Sequence, residues 1–369
     1  MVYMLNKLKA LFKNTYFNIF LILSLAGVVL FFTLKNDGKE VIQILSRISI
    51  PGLLFLVVLM VLEKVMLGWG LMLECRQSHP EYTWKQGIIN AYVAGLFCNI
   101  TPGASGGQVG QGYIFRKQGI PVTHSIGILW LDFIVYQSVM TLFVLFLILM
   151  RFSYYYTNYS QFFLIVIFGF MISSGIIFFL WLLASSPRFY TWITTTGISI
   201  GAKIHLVKDK EKTLENLERQ LQMFSKEIVV LKTHRKMIAM LAVEDLRRLI
   251  LYYSVPYWCA LVLHIPIGPE KLLDVIALSS FVAMVNAFLP MPGSSGGTEA
   301  TFILMFSTIF DRADAASIMI LWRLVTFYQV LIIGGAVFLY AKSQKDIPIV
   351  PEEITPRTYS TEAMKEESK

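Results

Sequence analysis

Two near-identical hexamers interrupt apolar stretches of this chain: Pro-Gly-Ala-Ser-Gly-Gly at 102–107 and Pro-Gly-Ser-Ser-Gly-Gly at 292–297. Their chemistry is that of exposed backbone. Glycine permits a tight reversal and lets a ligand approach the main chain. A serine, Ser105 or Ser295, can cap a helix that restarts after the turn. Behind such a cap lie free N–H groups at the positive end of a helix dipole, a seat for an anion such as phosphate. The first candidate site is Thr101, Gly103, Ser105, Gly106, Gly107 and Gln108. The second is Gly293, Ser294, Ser295, Gly296 and Gly297. Gln108 and Ser294 also admit a plainer reading as hydrogen-bond fillers of a turn.

Three ionisable residues in apolar surroundings extend these sites: Asp132, Glu299 and Arg323. A charge at membrane depth is a functional candidate by default. Glu299 could pair with a cationic headgroup or a proton, or merely complement a helix N-terminus for ~0.3–1 kcal/mol. Arg323 could hold phosphate bidentately or form a buried pair with Glu299 or Asp132. Asp132 carries the same two readings. Glu63 and Lys64 interrupt another apolar stretch. Adjacent helical side chains diverge by about 100°, so they do not pair ideally; one could reach the site while the other snorkels.

The elements that must position these residues follow from composition. Of 369 residues, 56% are hydrophobic and 15% charged, against about 25% charged in a soluble domain. The apolar residues form long runs instead of stripes, which marks a polytopic membrane protein. The net charge of +8 sits at segment ends and in one loop, a positive-inside distribution that argues against a nucleic-acid partner. Cys75, Cys98 and Cys259 lack metal or redox spacing. The five histidines form no metal constellation, and no Walker loop, dinucleotide fingerprint or nucleophile elbow is present. No metal or cofactor is expected.

Full crossings are expected at about 16–34, 52–73, 122–150, 161–184, 248–265 and 315–341. Lys7, Lys9 and Lys13 put the N-terminus in the cytoplasm. The basic loop 185–247 is placed there too, with an amphipathic helix over 214–231. Segments 87–100 and 272–290 lead into the hexamers, and the stretch beyond each hexamer is too short or too polar to span. Each segment reads as one arm of a re-entrant hairpin. Trp130 with Tyr136-Gln137 recurs as Trp322 with Tyr328-Gln329 in the helix after each hairpin; these aromatics read as packing more than as ligands. The charges open the first hairpin to the cytoplasm and the second to the outside. The expected fold is therefore an all-α polytopic integral membrane protein, an inverted-topology repeat with about six full helices and two re-entrant hairpins. Its membrane domain covers 1–345, with repeat one at 52–150 and repeat two at 248–341; a disordered cytoplasmic tail follows at 346–369.

At Thr101–Gln108, at Pro292–Ala300 and in the Arg323 helix the chain resembles the lysylphosphatidylglycerol synthase transmembrane-region family, over roughly 10–340. The resemblance implies a flippase-like lipid translocator in a bacterial plasma membrane. Its substrate would be a membrane phospholipid, such as aminoacylated phosphatidylglycerol, with a separate lipid-modifying synthase as a possible partner. Fused members carry a soluble aminoacyltransferase domain after the membrane region. This chain ends soon after its last helix, so that activity is not expected. Two features depart from the pattern: Gln108 stands where the family has Glu, and Leu131 precedes Asp132 where the second copy has Arg323. The rival readings are a lysyltransferase-type enzyme and a membrane partner of a synthase or glycosyltransferase.

Overall fold

A computed structural model describes residues 48–101, 106–150, 160–185, 234–286 and 297–349, with isolated positions at 43, 46, 156, 157, 189, 192 and 196. The expected crossing at 16–34, the amphipathic helix at 214–231 and the tail beyond 349 lie outside the described residues. So do the tip residues Gly103, Ser105, Gly293, Ser294, Ser295 and Gly296.

The described residues are helical, with no strand among them. Helix α1 (Ile50–Cys75) begins at Ser49, whose hydroxyl accepts from Gly52 N at 3.3 Å, with Pro51 in the first turn. Helix α2 (Trp84–Ile100) opens on a reciprocal capping box: Thr83 N donates to Gln86 Oε1 at 2.8 Å and Thr83 Oγ1 accepts from Gln86 N at 3.4 Å. The short α3 (Gly107–Lys117) returns and ends on Arg116 and Lys117, cations suited to a helix C-terminus. Gly119, at φ +83°, turns the chain into α4 (Val122–Met150), followed by α5 (Ser160–Ser185). After the long linker comes α6 (Arg235–Val262), with Pro256 inside it. The second short pair is α7 (Leu272–Asn286) and α8 (Gly297–Phe306). The last helical stretch consists of α9 (Arg312–Arg323), a π-turn at Leu324–Tyr328 and α10 (Gln329–Ser343).

Helix α1, the stretch His124–Met150 and the stretch Arg312–Ser343 are each long and apolar enough to cross a bilayer. Their outward faces stay apolar: Leu54 and Val58 on α1 and Leu142 and Phe146 on α4 are exposed, as a lipid-facing surface requires. At 1.5 Å per residue, α2 and α7 reach only about 25 and 22 Å, and α3 and α8 about 16 and 15 Å. None matches the ~30 Å hydrocarbon core. Each short pair packs on itself and on a full helix from the other half, α2 on α10 and α7 on α4.

The start of α6 differs from the sequence expectation. The crossing reads as 248–265 because Glu244, Asp245, Arg247 and Arg248 depress hydropathy, yet the helix begins at Arg235. Glu244, Asp245 and Arg248 are buried against other charges, and only Arg247 faces out. At the other end, 346–349 carry no regular secondary structure but lie against α3. Ile347 N donates to Lys117 O at 2.9 Å, and Lys117 Nζ sits 2.8 Å from Asp346.

Candidate functional site

The end of α2 and both helices of the second short pair reach a cavity of about 160 Å³, which Thr101, Gly106 and Gly107 do not line. Cys98 and Asn99 come from the end of α2, Asn286 from the end of α7, and Thr298 from the first turn of α8. Arg323 and Thr326 come from the last helical stretch, and Tyr252 and Tyr253 from α6. Asn99 and Asn286 are legible as polar residues at the ends of apolar half-helices, yet neither figures among the sequence candidates. The tyrosines and Thr298 carry no such signal.

Arg323 is the cavity's cation. It is 7% exposed and lies between two rings, with its guanidinium carbon 5.7 Å from the Trp322 centroid and 5.0 Å from that of Phe327. Arg323 Nη2 is 2.7 Å from Glu299 Oε1. Of the two partners the sequence left open, Glu299 takes the place. Thr298 is 2% exposed, and its hydroxyl has no hydrogen-bond partner. It stands in the first turn of α8, where unpaired backbone N–H groups and the dipole favour an anion. The π-turn widens the backbone beside Arg323, as such turns often do at functional sites. Asn99 Nδ2 donates to Phe327 O at 3.3 Å across that turn, tying the first pair to the last helix.

At the first tip the described residues stop at Thr101 and resume at Gly106. Ser105 lies outside the described residues, and the hydroxyl that closes the turn is Thr101's. It accepts from Gly106 N at 2.8 Å and donates to Phe97 O at 2.6 Å. A Cβ on Gly106 would sit 2.5 Å from Thr101 Cγ2, and one on Gly107 would collide with Cys98 Sγ. These glycines are needed so that α3 can lie against α2. Gln108 is exposed and does not line the cavity. Gly297 is partly buried at the start of α8, one residue before Thr298. Thr101→Val should therefore cost about 1 kcal/mol and lower the thermal midpoint, read by a melting assay in detergent.

Asp132 is not at this cavity. It belongs to a second buried group, within electrostatic reach of Arg248. Arg248 Nη2 is 2.7 Å from Asp245 Oδ1, and Arg248 Nη1 is 4.0 Å from Glu63 Oε1. The Arg248 guanidinium lies 5.0 Å over the Tyr136 ring. The neighbours Glu63 and Lys64 pair at 3.0 Å despite their unfavourable spacing, both with side chains largely buried. Tyr136 thus serves as a cation's platform, and Trp322, beside Arg323, also stacks on Phe302 with centroids 5.0 Å apart. Among the described residues, no three His, Cys, Asp or Glu are grouped to hold a metal ion, and Cys75, Cys98 and Cys259 form no disulfide.

A family model described as "Lysylphosphatidylglycerol synthase TM region" matches residues 19–334. That range contains both short helix pairs, the Arg323 cavity and the Arg248 group. No curated protein and no solved structure gives a match.

Proposed function

The chain belongs to the family of the lysylphosphatidylglycerol synthase TM region, a membrane family tied to lipid metabolism, and we propose that it moves a phosphate-containing lipid between leaflets. The observation that carries this reading is the cavity where the two short pairs meet, lined by Arg323 and by the unpartnered hydroxyl of Thr298 at a helix N-terminus. Small-ligand pockets run to roughly 300–1,000 Å³. A cavity of about 160 Å³ takes a single polar group. A phosphate fits that role, with the rest of the headgroup and the acyl chains outside it.

The two short pairs are then re-entrant hairpins of an inverted-topology repeat, entering from opposite faces, and their ends form the midplane site. Loading proceeds by exchange. The phosphate oxygens take the Arg323 guanidinium from Glu299 in a charge-assisted, bidentate contact. Thr298 and the first N–H groups of α8 complete the anion's shell. Glu299, released, can accept the ammonium of an aminoacylated headgroup such as lysylphosphatidylglycerol. Rocking of one repeat against the other would open the loaded site to each leaflet in turn.

Leaflet-resolved lipid composition tests this, with an outer-facing amine probe beside total extraction, in cells with and without the chain. Unchanged total modified lipid with a reduced outer share supports translocation. A fall in the total instead assigns the chain to making the lipid or to holding its maker. Thr298→Val keeps the shape and removes only the hydroxyl. Losing one hydrogen bond to a charged group, ~1.5 kcal/mol, should slow translocation roughly tenfold at unchanged protein abundance.

A further inference from the structure

The Arg248 group carries more acid than base. Glu63 and Lys64 come from α1, Asp132 from α4, and Glu244, Asp245 and Arg248 from α6. Four carboxyl groups thus meet two cations, and the Lys64 ammonium is taken by Glu63. Arg248's two terminal nitrogens point to Asp245 and Glu63. Asp132 and Glu244 take part in none of these contacts. Glu244 is 5% exposed, and its Oε1 has no hydrogen-bond partner. Its Oε2 lies 3.0 Å from where a Cβ on Gly70 would be, so α1 closes over it. Glu74, one turn beyond Gly70, is a further buried acid on that face, and Tyr136 is the phenol opposite. An unpaired carboxylate in such a place is costly, and among like charges it takes up a proton instead.

We propose that Glu244 is a proton-binding site, and that its loading and unloading drives the anion cavity about two helical turns away along α6. The link is α6 itself. Arg248 and Tyr252 are one turn apart on it and so share a face. Tyr252 lines the cavity together with Arg323. A proton on Glu244 removes one negative charge from the shell of Arg248. That shifts the balance between Arg248, Asp245 and Glu63, and with it the position of α6 against the cavity. The coupling half of this proposal rests on the translocation reading; the proton site does not.

Two measurements on the full chain keep the two apart. Infrared difference spectra of the purified protein, taken from mildly acidic to mildly alkaline pH, should show a protonated-carboxyl band that titrates. That band should vanish in Glu244→Gln, an isosteric change that preserves packing. A Glu244→Gln spectrum identical to the wild type's, or no titrating band, overturns the proton site. In vesicles with fluorescent phosphatidylglycerol and an imposed pH gradient, one coupled proton shifts the leaflet ratio about tenfold per pH unit. Glu244→Gln should lose that response while still equilibrating lipid without a gradient. Wild-type translocation indifferent to the gradient overturns the coupling. No translocation under any condition overturns the function proposed above, while the infrared result still decides the proton site.

Discussion

Replacing Arg323 by alanine is expected to abolish lipid translocation and to destabilise the protein by about 3–5 kcal/mol, the usual consequence of removing one partner from a buried ion pair. Glu299 loses a contact of 2.7 Å and is left as a carboxylate whose side chain is only 15% exposed. The aromatic walls supplied by Trp322 and Phe327 offer it no cation in exchange. The two effects can be separated. Arg323→Ala with Glu299→Gln removes both charges, so thermal stability in detergent should return most of the way while translocation stays absent. Recovery of translocation in that double variant would show that the cavity's cation does not bind the substrate. Arg323→Lys keeps the charge but loses the planar fork, and should retain stability better than translocation.

The second large effect lies away from any ligand. Helices α1 and α2 cross with their backbones in contact: a Cβ on Gly68 would sit 2.5 Å from Ile88 N, and one on Gly87 would collide with Gly68 O. Small residues at such crossings let membrane helices approach, because dispersion and not water drives their packing. Gly87→Ala must push α2 off α1. Backbone cannot move aside as a flexible side chain can, so the cost should be at least the ~1–3 kcal/mol typical of overpacking. Because α2 also carries Cys98 and Asn99 to the cavity, translocation should fall with stability although Gly87 touches nothing in the site. Gly112→Ala is the matched control: its Cβ would meet nothing within 4 Å, and the protein should melt and work as before.

Much of the architecture is legible in the chain. The long apolar runs at 52–73, 122–150 and 161–184 correspond to α1, α4 and α5 to within about two residues, as the usual scatter of helix ends allows. The shortness of the helices around the Pro-Gly tips is also readable, since length against bilayer thickness needs only counting. Helix α6 is the exception, starting at 235 where the expected crossing starts at 248. Hydropathy scores each charge as if it met lipid or water, and here Glu244, Asp245 and Arg248 meet one another.

The membrane setting, the helical fold, the two short helix pairs and the presence of Glu299 and Arg323 as charges in apolar helices can all be read without coordinates. They rest on local quantities: run length, charge and the backbone freedom of Pro-Gly stretches. Who partners whom is a matter of tertiary packing. Packing gives Arg323 to Glu299 and leaves Asp132 in the neighbourhood of Arg248, whose contacts go to Asp245 and Glu63. It turns Gly106 and Gly107 into packing surfaces and makes Thr101 the hydroxyl that closes the turn. It also brings Asn99 to one cavity with Asn286 and Thr298, which lie far from it along the chain. Pairing between buried charges depends on distances of a few ångströms between different helices, and those distances are fixed by how the helices cross, which no single stretch of sequence encodes.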